Sequence, residues 1–385
     1  MFLNSTFLEI LTTANVIALS LTLLYVIVVI TFIRGWKKLI PYTHSGSKGS
    51  TMVSVIIAAR NEEANIVNTI QDLLAQDYDA NLTELIFIDD HSTDATGEIV
   101  RSYASKGVKL ITLNETQALN SYKKKAIQTA IGACKGQLII TTDADCRMGP
   151  HWLKTIVGFY EEKSYKMISS PVTYFEEKSF FEKAQSLEFL YLIGLGASTI
   201  GNKRPSTCNG ANLAYEKQAF YDVGGFQGID DLASGDDELL LHKMAAHYNG
   251  NIGFLKNEDA IVYTHAKPNL GEFIQQRKRW ASKSTRYKNK SIIVLGLFIW
   301  LFNLSIVLNF LTGFFLPGFF QLALEQLAVK IAIEFLFLLD VTKFTNRNRL
   351  LFLLPILNVL HIIYILYIGI AGNSGKYTWK GRAVK

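Results

Sequence analysis

The chain has 385 residues, enough for one large domain or two ordinary ones. Hydrophobic residues make up 49% of the chain and charged residues 19%, which is apolar for a soluble protein and indicates membrane segments. The net charge of +6 is too modest to indicate nucleic-acid binding by itself, and we expect no nucleic-acid partner. Three cysteines, Cys134, Cys146 and Cys208, lack metal-type spacing, which is typical of a reduced compartment without disulfides.

The first predicted element is an uncharged run at residues 16–33, which is long enough to cross a bilayer as a helix. Arg34, Lys37 and Lys38 follow this run and nothing basic precedes it, the reverse of a cleaved signal peptide. The positive-inside rule then places the chain from residue 34 onward in the cytoplasm. We therefore expect residues 1–38 to form a retained transmembrane anchor.

The next part of the chain, residues 51–290, has the pattern of a soluble domain in which strands and helices alternate. Strands that are joined by single helices are connected by right-handed crossovers and form a mainly parallel sheet. The expected fold class is therefore α/β. Ligands of such sheets bind beyond the carboxyl ends of the strands. The predicted strands are 53–59, 85–88, 108–113 and 138–142, and the predicted helices are 62–76, 94–104 and 123–134.

Polar residues follow the first two strands. Arg60-Asn61-Glu62 comes after the first strand and Asp89-Asp90 after the second. Ser92, Thr93 and Asp94 suit the cap and first turn of the next helix, but this does not explain Asp89 and Asp90. A carboxylate at that position can accept a hydrogen bond from a nucleobase or a ribose hydroxyl. All these strand ends should converge on one crevice.

The helix that begins near residue 122 starts with three lysines, Lys123, Lys124 and Lys125. Positive charge at a helix start opposes the macrodipole unless an anion lies nearby, so a diphosphate ligand is plausible. The alternative is an ordinary solvated run of charge.

The fourth strand ends in two carboxylates one residue apart, Asp143 and Asp145. Strand alternation points both side chains the same way, and hard oxygen ligands in that arrangement suit Mg²⁺ or Mn²⁺. Such an ion would neutralise a phosphate-bearing ligand. Two alternatives remain: capping of the following turn, and the nucleophile motif of phosphohydrolases that form an aspartyl phosphate. In those enzymes the motif follows the first strand, whereas here three strand–helix units precede it.

Two further motifs lie later in the domain. Asp236 and Asp237 begin an amphipathic helix, where a carboxylate either offsets the helix dipole or acts as a general base. Gln276, Arg279 and Trp280 form a polar–basic–aromatic set suited to phosphate and sugar. The alternative is a positive-inside flank of the next membrane span, which covers most of the basic residues from Arg277 through Lys283 to Lys290 but does not require Gln276 or Trp280.

After residue 290 the sequence is again strongly apolar. Residues 292–316 and 350–371 are each long enough to span a bilayer. Residues 321–340 between them carry Lys330 and Glu334, one helical turn apart and able to pair. That segment is either a span facing its neighbours or an interfacial helix. We expect residues 291–372 to form two or three transmembrane helices, followed by a basic tail at 373–385.

The order of these motifs resembles glycosyltransferase family 2 over about residues 52–280. The motifs are VSVIIAARNEE, IDDHSTD, YKKKA, TTDADC, GANLAY, SGDDELL and QRKRW. The resemblance is to the membrane-attached branch that includes cellulose and hyaluronan synthases and ceramide glucosyltransferase. It implies a GT-A fold, a mostly parallel sheet flanked by helices, as a cytoplasmic domain over residues 51–290.

The resemblance also implies roles for individual residues. Asp237 matches the catalytic base, and Asp145, with Asp143, the metal site. The implied nucleotide-sugar residues are Ala59, Arg60, Glu62, Asp90, Lys123, Asp143, Gln276, Arg279 and Trp280. Asn209, Gly210 and Asp236 match the acceptor side. Two positions depart from the family: Tyr122 stands where it usually has Gly, and Asp236 where polymerising members usually have Glu.

The expected activity is an inverting, Mg²⁺- or Mn²⁺-dependent transfer from a nucleotide-diphospho-sugar, with a UDP-sugar favoured. The acceptor is expected to be a lipid, a lipid-linked group or a glycan at the cytoplasmic face of the plasma (inner) membrane. The alternatives are a processive polysaccharide synthase, the phosphohydrolase above, or a non-catalytic membrane scaffold.

Overall fold

The computed structural model describes residues 2–43, 49–115, 119–372, 377–379 and 382–384, so most of the predicted basic tail lies outside the described residues. Helices α1–α12 are Phe2–Lys38, Ile66–Leu74, Thr96–Ser102, Tyr122–Ala133, Trp152–Lys163, Phe180–Gly201, Lys217–Asp222, Glu238–His247, Leu270–Ala281, Lys290–Thr312, Pro317–Phe344 and Leu354–Ala371. Strands β1–β12 are Val53–Ala59, Thr83–Asp89, Val108–Thr112, Leu138–Asp143, Arg147–Met148, Met167–Ser169, Val172–Tyr174, Leu213–Glu216, Ile252–Phe254, Val262–Thr264, Tyr377–Trp379 and Arg382–Val384.

A seven-stranded sheet in the order β3-β2-β1-β4-β8-β6-β9 forms the centre of the domain. Strands β3, β2, β1 and β4 run parallel, as predicted, and β8 is antiparallel to β4 and β6. The α/β fold class is therefore confirmed. The predicted strands agree with the observed ones to within about two residues, whereas the helix predicted from residue 62 begins only at Ile66.

Apolar side chains cover both faces of the sheet. On β1, Val53, Val55 and Ile57 belong to one buried cluster and Ile56 to the other. Side chains of a strand alternate between faces, so a strand that carries apolar residues on both faces is buried on both sides. This is why residues 53–59 are apolar at every position except Ser54.

Helices α1, α10 and α11 pack together beside the domain. Near one end of this bundle, Ala18 clusters with Phe319 and Leu322; at the other end, the ring of Trp36 lies 5.6 Å from that of Phe344. Helix α11 therefore runs parallel to α1 along its length, and α10 returns antiparallel to α11. Among the described residues, three helices are long and apolar enough to cross a membrane: Thr12–Lys38, Lys290–Thr312 and Asn348–Ala371.

Lys330 and Glu334 of α11 face the interior of this bundle. Lys330 Nζ lies 2.8 Å from Glu334 Oε1, and both side chains are buried, so the predicted pairing of these two residues is confirmed. Tyr25 donates a hydrogen bond to Glu334, and Lys330 donates one to Asn358. Paired and hydrogen-bonded charges are the form in which ionisable residues are tolerated among apolar helices.

Helix α12 packs against the domain instead of extending away from it. Just before α12, Arg347 donates to the carbonyl oxygen of Tyr174. Within α12, the ring of Tyr364 lies 5.4 Å from that of Phe273 in α9, and Gly372 at its end touches Ala281. Both ends of α12 therefore lie against the domain, and its second half runs alongside α9.

Candidate functional site

The strand register brings the predicted motifs to one edge of the sheet. Ala59 is the partner of Asp89, and Ala58 is the partner of Asp143, so β1, β2 and β4 end in the same row. A cavity of about 1380 Å³ opens beyond this row. The predicted site residues that line it are Ala59, Arg60, Glu62, Asp90, Lys123, Asp143, Asp145, Asn209, Gly210, Asp236, Asp237, Gln276, Arg279 and Trp280. The structure thus brings all fourteen together.

The two aspartates after β2 differ in their surroundings. Asp89 Oδ1 accepts a hydrogen bond from the backbone N–H of Ser92, which fixes the turn after the strand. Asp90 is buried, and Arg60 Nη1 donates to the carbonyl oxygens of Asp90 and His91 at 2.9 and 2.7 Å. Asp89 therefore has a structural role, and Asp90 is the one that faces the cavity.

Lys123 holds two aspartates together at the centre of the site. Its Nζ lies 2.7 Å from Asp143 Oδ1 and 3.2 Å from Asp236 Oδ2. Burial disfavours the charged amine, but the two carboxylates outweigh this and raise the pKa of Lys123. Burial likewise acts against the charged form of Asp143, yet Lys123 lowers the pKa of that carboxyl. Both groups are therefore charged at neutral pH.

Asp143 and Asp145 offer oxygen ligands to a cation. With the Cys146 sulfur, their ligand atoms lie within 4.8 Å of one another. Burial and the neighbouring aspartates raise the pKa of the Cys146 thiol well above its usual value, so the thiol stays protonated and ligates poorly. The two carboxylates that remain fit a hard divalent ion such as Mg²⁺ or Mn²⁺.

Asp237 both begins helix α8 and faces the cavity. Its Oδ1 accepts from the backbone N–H of Glu238 at 2.6 Å and its Oδ2 from that of Gly210 at 3.1 Å. Burial raises the pKa of this carboxyl, but Lys283 and these N–H donors lower it to about 2. The two alternatives for Asp237 are thus compatible: capping contacts orient a carboxylate that is ionised and ready to accept a proton.

Gly210 lies close to these two acids. A Cβ atom there would lie 3.3 Å from both Asp236 Oδ2 and Asp237 Cβ. Thr141 of β4 also donates to the Gly210 carbonyl oxygen at 2.9 Å. The GANLAY motif therefore lets the loop approach the two aspartates closely.

Lys283 is a residue of this cavity that the sequence analysis did not single out. It is buried, with Nζ 3.5 Å from Asp237 Oδ1 and 3.3 Å from Glu238 Oε2. Tyr287 also donates to Glu238, which fixes the acid next to Asp237. The only signal in the sequence was its position, one helical turn after Arg279.

Lys124 is a second buried lysine, so the alternative of a solvated charge run fails at this position. Its Nζ donates to the carbonyl oxygens of Ile229, Leu232 and Ser234 at 2.6, 2.6 and 2.7 Å. Burial lowers the pKa of Lys124 to about 8, which leaves it mostly protonated at pH 7. It thereby anchors the loop that leads to Asp236 and Asp237. Of the three lysines, only Lys125 is exposed.

The QRKRW motif lies on α9 with its outer residues in the cavity and Arg277 in the core. Arg277 pairs with Glu188, and its guanidinium carbon lies 4.2 Å from the centre of the Trp280 ring. Gln276 Oε1 accepts from Arg277 Nη1 at 2.6 Å. Arg277 is therefore another residue that the sequence analysis did not single out. It holds Gln276 and Trp280 in position and leaves Arg279 to face the cavity.

Two other residues complete the description of this edge. His265 lines the cavity directly after β10, the strand that pairs with β5 two residues beyond Asp145. The sequence analysis did not single it out. Tyr122, the departure from the family pattern, packs edge-on against His91 with ring centres 5.9 Å apart.

The far side of the cavity lies among the apolar helices. Besides the strand-end residues, its wall includes side chains of α6, α10 and α12, which reach Trp300, Asn303, His361 and Ile370. Asp237 lines the same cavity. A single cavity therefore joins the polar edge of the sheet to the helix bundle.

The sheet defines the class of fold, which is the GT-A fold. A mannosyltransferase from Pyrobaculum calidifontis has the same fold, with a TM-score of 0.55 and 19% identity over 91% of this chain and 99% of that chain. Residues 54–224 match the family model "Glycosyl transferase family 2", so this part of the chain is a glycosyltransferase family 2 domain.

Curated relatives include two beta-monoglucosyldiacylglycerol synthases. The protein from Nostoc sp. is 30% identical over 111 residues, which are 29% of this chain and 24% of the relative. The protein from Synechocystis sp. is 24% identical over 236 residues, which are 60% of this chain and 47% of the relative. The alignments thus span less than half the length of these relatives. The match of residues 54–224 to this family model favours the transferase over the phosphohydrolase alternative.

Replacing Lys283 tests the charge balance around Asp237. Lys283→Met removes the cation that lowers the pKa of Asp237, so that pKa rises and the carboxylate is protonated at higher pH. The acid limb of the pH profile of kcat/KM for sugar transfer should then move up by about one to two pH units. Lys283→Arg keeps the charge and should leave the limb near its original position. An unchanged acid limb in Lys283→Met would show that Lys283 does not tune this carboxylate.

Proposed function

We propose that this protein is a membrane-bound inverting glycosyltransferase. In this proposal it moves a sugar from a nucleotide-diphospho-sugar to a lipid or lipid-linked hydroxyl at the cytoplasmic membrane face. The observation that carries the proposal is the single cavity in which strand-end polar residues, Asp237 and apolar helices meet. A hydrophilic donor and a hydrophobic acceptor can both reach Asp237 there.

The donor is assigned to the polar edge of the sheet. Ala59, Arg60, Glu62 and Asp90 surround the position of the base and ribose, with a UDP-sugar favoured. Lys123 and Arg279 are the cations placed to meet the diphosphate, because both line the cavity near Asp143. Charge-assisted hydrogen bonds from such cations to phosphate oxygens are strong and directional.

Asp143 and Asp145 would hold a Mg²⁺ or Mn²⁺ ion, which would act as a Lewis acid on the leaving diphosphate. These two carboxylates fit such an ion because they offer it hard oxygen ligands. The mannosyltransferase from Pyrobaculum calidifontis was solved with GDP-Man and Mn²⁺, which supports a divalent ion in the same fold.

Asp237 is assigned as the general base. Its carboxylate takes the proton of the acceptor hydroxyl while that oxygen attacks the anomeric carbon from the side opposite the diphosphate. The bond from the anomeric carbon to the phosphate oxygen breaks, and the nucleoside diphosphate leaves with the electron pair. Lys123 and Arg279 offset the charge that develops on it, and attack from the opposite side inverts the anomeric configuration.

The membrane arrangement is part of the proposal. We assign α1, α10 and α11 as spans, because these three pack together over their lengths. Helix α12 is assigned to the membrane surface beside the domain, because both of its ends contact the domain. Residues 51–290 then lie in the cytoplasm and the C-terminus lies on the same side. Two spans after the domain are few for a polymer channel, which favours a single transfer over processive synthesis.

Labelling of single cysteines tests this topology. In intact cells, a membrane-impermeant maleimide should label Phe315→Cys, which replaces an exposed side chain between α10 and α11. Lys288→Cys, and a cysteine added after Lys385, should react only after the membrane is opened. Labelling of the added C-terminal cysteine from outside would instead make α12 a span.

A donor panel tests the activity itself. Membranes that contain the protein are incubated with labelled UDP-, GDP- and dTDP-sugars, with Mn²⁺ and with or without EDTA. We expect one donor to be transferred to a lipid fraction, with inverted configuration at the anomeric carbon by NMR. Asp237→Asn should lower kcat by at least about 10³-fold, since it removes the proton acceptor but keeps the size of the side chain.

The substitution Lys125→Met, at an exposed residue, is the matched control and should keep full activity. Full sugar transfer by Asp237→Asn would contradict the assignment of Asp237 as the general base. If neither Asp237→Asn nor Asp145→Asn changed any activity of the protein, the non-catalytic scaffold would be favoured. Phosphatase activity that depends on Asp143 without any nucleotide sugar would favour the phosphohydrolase.

A further inference from the structure

We propose that Asp236 and the diphosphate of the donor compete for Lys123, so that donor binding frees the Asp236 carboxylate to accept a hydrogen bond from the acceptor hydroxyl. This inference rests on the proposed function and adds a coupling between its two binding sites. The observation that carries it is one shared cation. Lys123 Nζ lies 2.7 Å from Asp143 Oδ1, on the donor side, and 3.2 Å from Asp236 Oδ2, on the acceptor side.

Lys123 cannot pair with both carboxylates and with a diphosphate at the same time. Its single positive charge already lies between two negative ones. A phosphate oxygen that reached the same ammonium group would be a third anion beside one cation, and like charges at such distances disfavour one another. One of the two carboxylates therefore moves away from Lys123 when the diphosphate binds.

Asp236 is the carboxylate that gives way. Lys123 donates its shorter hydrogen bond, at 2.7 Å, to Asp143, which also belongs to the oxygen ligands that fit a divalent ion. The contact with Asp236 is the longer one. Lys283, the other lysine beside these acids, already lies 3.5 Å from Asp237 and 3.3 Å from Glu238, so it does not replace Lys123 as the partner of Asp236.

The main chain on both sides of Asp236 is fixed, so the change is confined to one side chain. On one side, Lys124 donates to the carbonyl oxygen of Ser234 at 2.7 Å. On the other side, Asp237 Oδ2 accepts from the backbone N–H of Gly210 at 3.1 Å. A Cβ atom at Gly210 would lie 3.3 Å from Asp236 Oδ2, so the glycine leaves room for this carboxylate to turn.

The freed carboxylate lies next to the residue that acts as the base. Asp236 and Asp237 are neighbours in the chain and line the same cavity. A carboxylate that has lost its ion pair is a strong hydrogen-bond acceptor for a hydroxyl. Asp236 thus holds the acceptor hydroxyl beside Asp237 only once the donor is bound. Because such coupling is reciprocal, the bound acceptor also keeps Asp236 away from Lys123 and strengthens donor binding.

The test is a double-mutant cycle on the full chain in phosphatidylcholine nanodiscs. Its members are Asp236→Asn, Lys123→Met and the double variant, and Asp236→Ser repeats the loss of charge with a smaller side chain. Asp231→Asn is the matched control, because Asp231 lies in the same loop but pairs with Arg286, and neither residue lines the cavity. Calorimetry measures the affinity for UDP, GDP and dTDP, each with Mn²⁺. Melting temperature, and kcat and KM for sugar transfer to the lipid fraction, are measured alongside.

Asp236→Asn and Asp236→Ser should bind the nucleoside diphosphate about threefold to tenfold more tightly than the wild type, because the charged competitor for Lys123 is gone. In the Lys123→Met background, Asp236→Asn should change this affinity by less than about twofold, because the cation for which the two compete is absent. KM for the nucleotide sugar should fall in Asp236→Asn while kcat falls at least about tenfold, a split that a merely structural defect does not produce. Asp231→Asn should match the wild type in every measurement.

Unchanged or weaker binding of the nucleoside diphosphate by both Asp236 variants would overturn the competition. Equal tightening in the Lys123→Met background would overturn it as well, since Asp236 would then act on the diphosphate by repulsion alone. A wild-type kcat in Asp236→Asn would contradict the role of the freed carboxylate at the acceptor. A wild-type protein that binds none of the three nucleoside diphosphates and transfers no sugar would instead contradict the proposed function itself.

Discussion

Four aspartates, Asp143, Asp145, Asp236 and Asp237, line one cavity, and lysines between them make this concentration of negative charge possible. Lys123 bridges Asp143 and Asp236, and Lys283 lies between Asp237 and Glu238. Unpaired carboxylates so close together would repel one another and take up protons. The paired arrangement keeps Asp237 ionised, with a pKa of about 2, while it faces the cavity. The positions of donor, base and acceptor in our account all depend on this charge balance.

The site also contacts the long helices through a buried ion pair. Arg277, held by Glu188 on α6 and stacked on Trp280, connects α9 to the long helices. Helix α12 then lies along α9 and closes one side of the cavity. The part of the cavity between α10 and α12 is therefore continuous with the part that holds the residues assigned to sugar transfer. This continuity is why a lipid acceptor agrees better with the structure than a soluble one.

The sequence predicted the parallel half of the sheet well, because strands buried on both faces are mostly apolar along their length and helices between them set the topology. It also predicted the residues at the strand ends, since the carboxyl ends of parallel strands must share an edge. It did not single out Lys283, Arg277 and Lys124, because burial depends on tertiary packing, and a buried lysine has the same letter as an exposed one. Composition likewise left α11 undecided, and only the packing pairs α11 with α1.

The most direct test of the central claim is an experimental structure of the protein in nanodiscs with Mn²⁺, a nucleoside diphosphate and the lipid acceptor that the donor panel identifies. The account predicts the diphosphate beside Lys123 and Arg279, with the ion on Asp143 and Asp145. It also predicts the acceptor hydroxyl within hydrogen-bond distance of Asp237. Lipid bound elsewhere, with Asp237 remote from any acceptor oxygen, would contradict it.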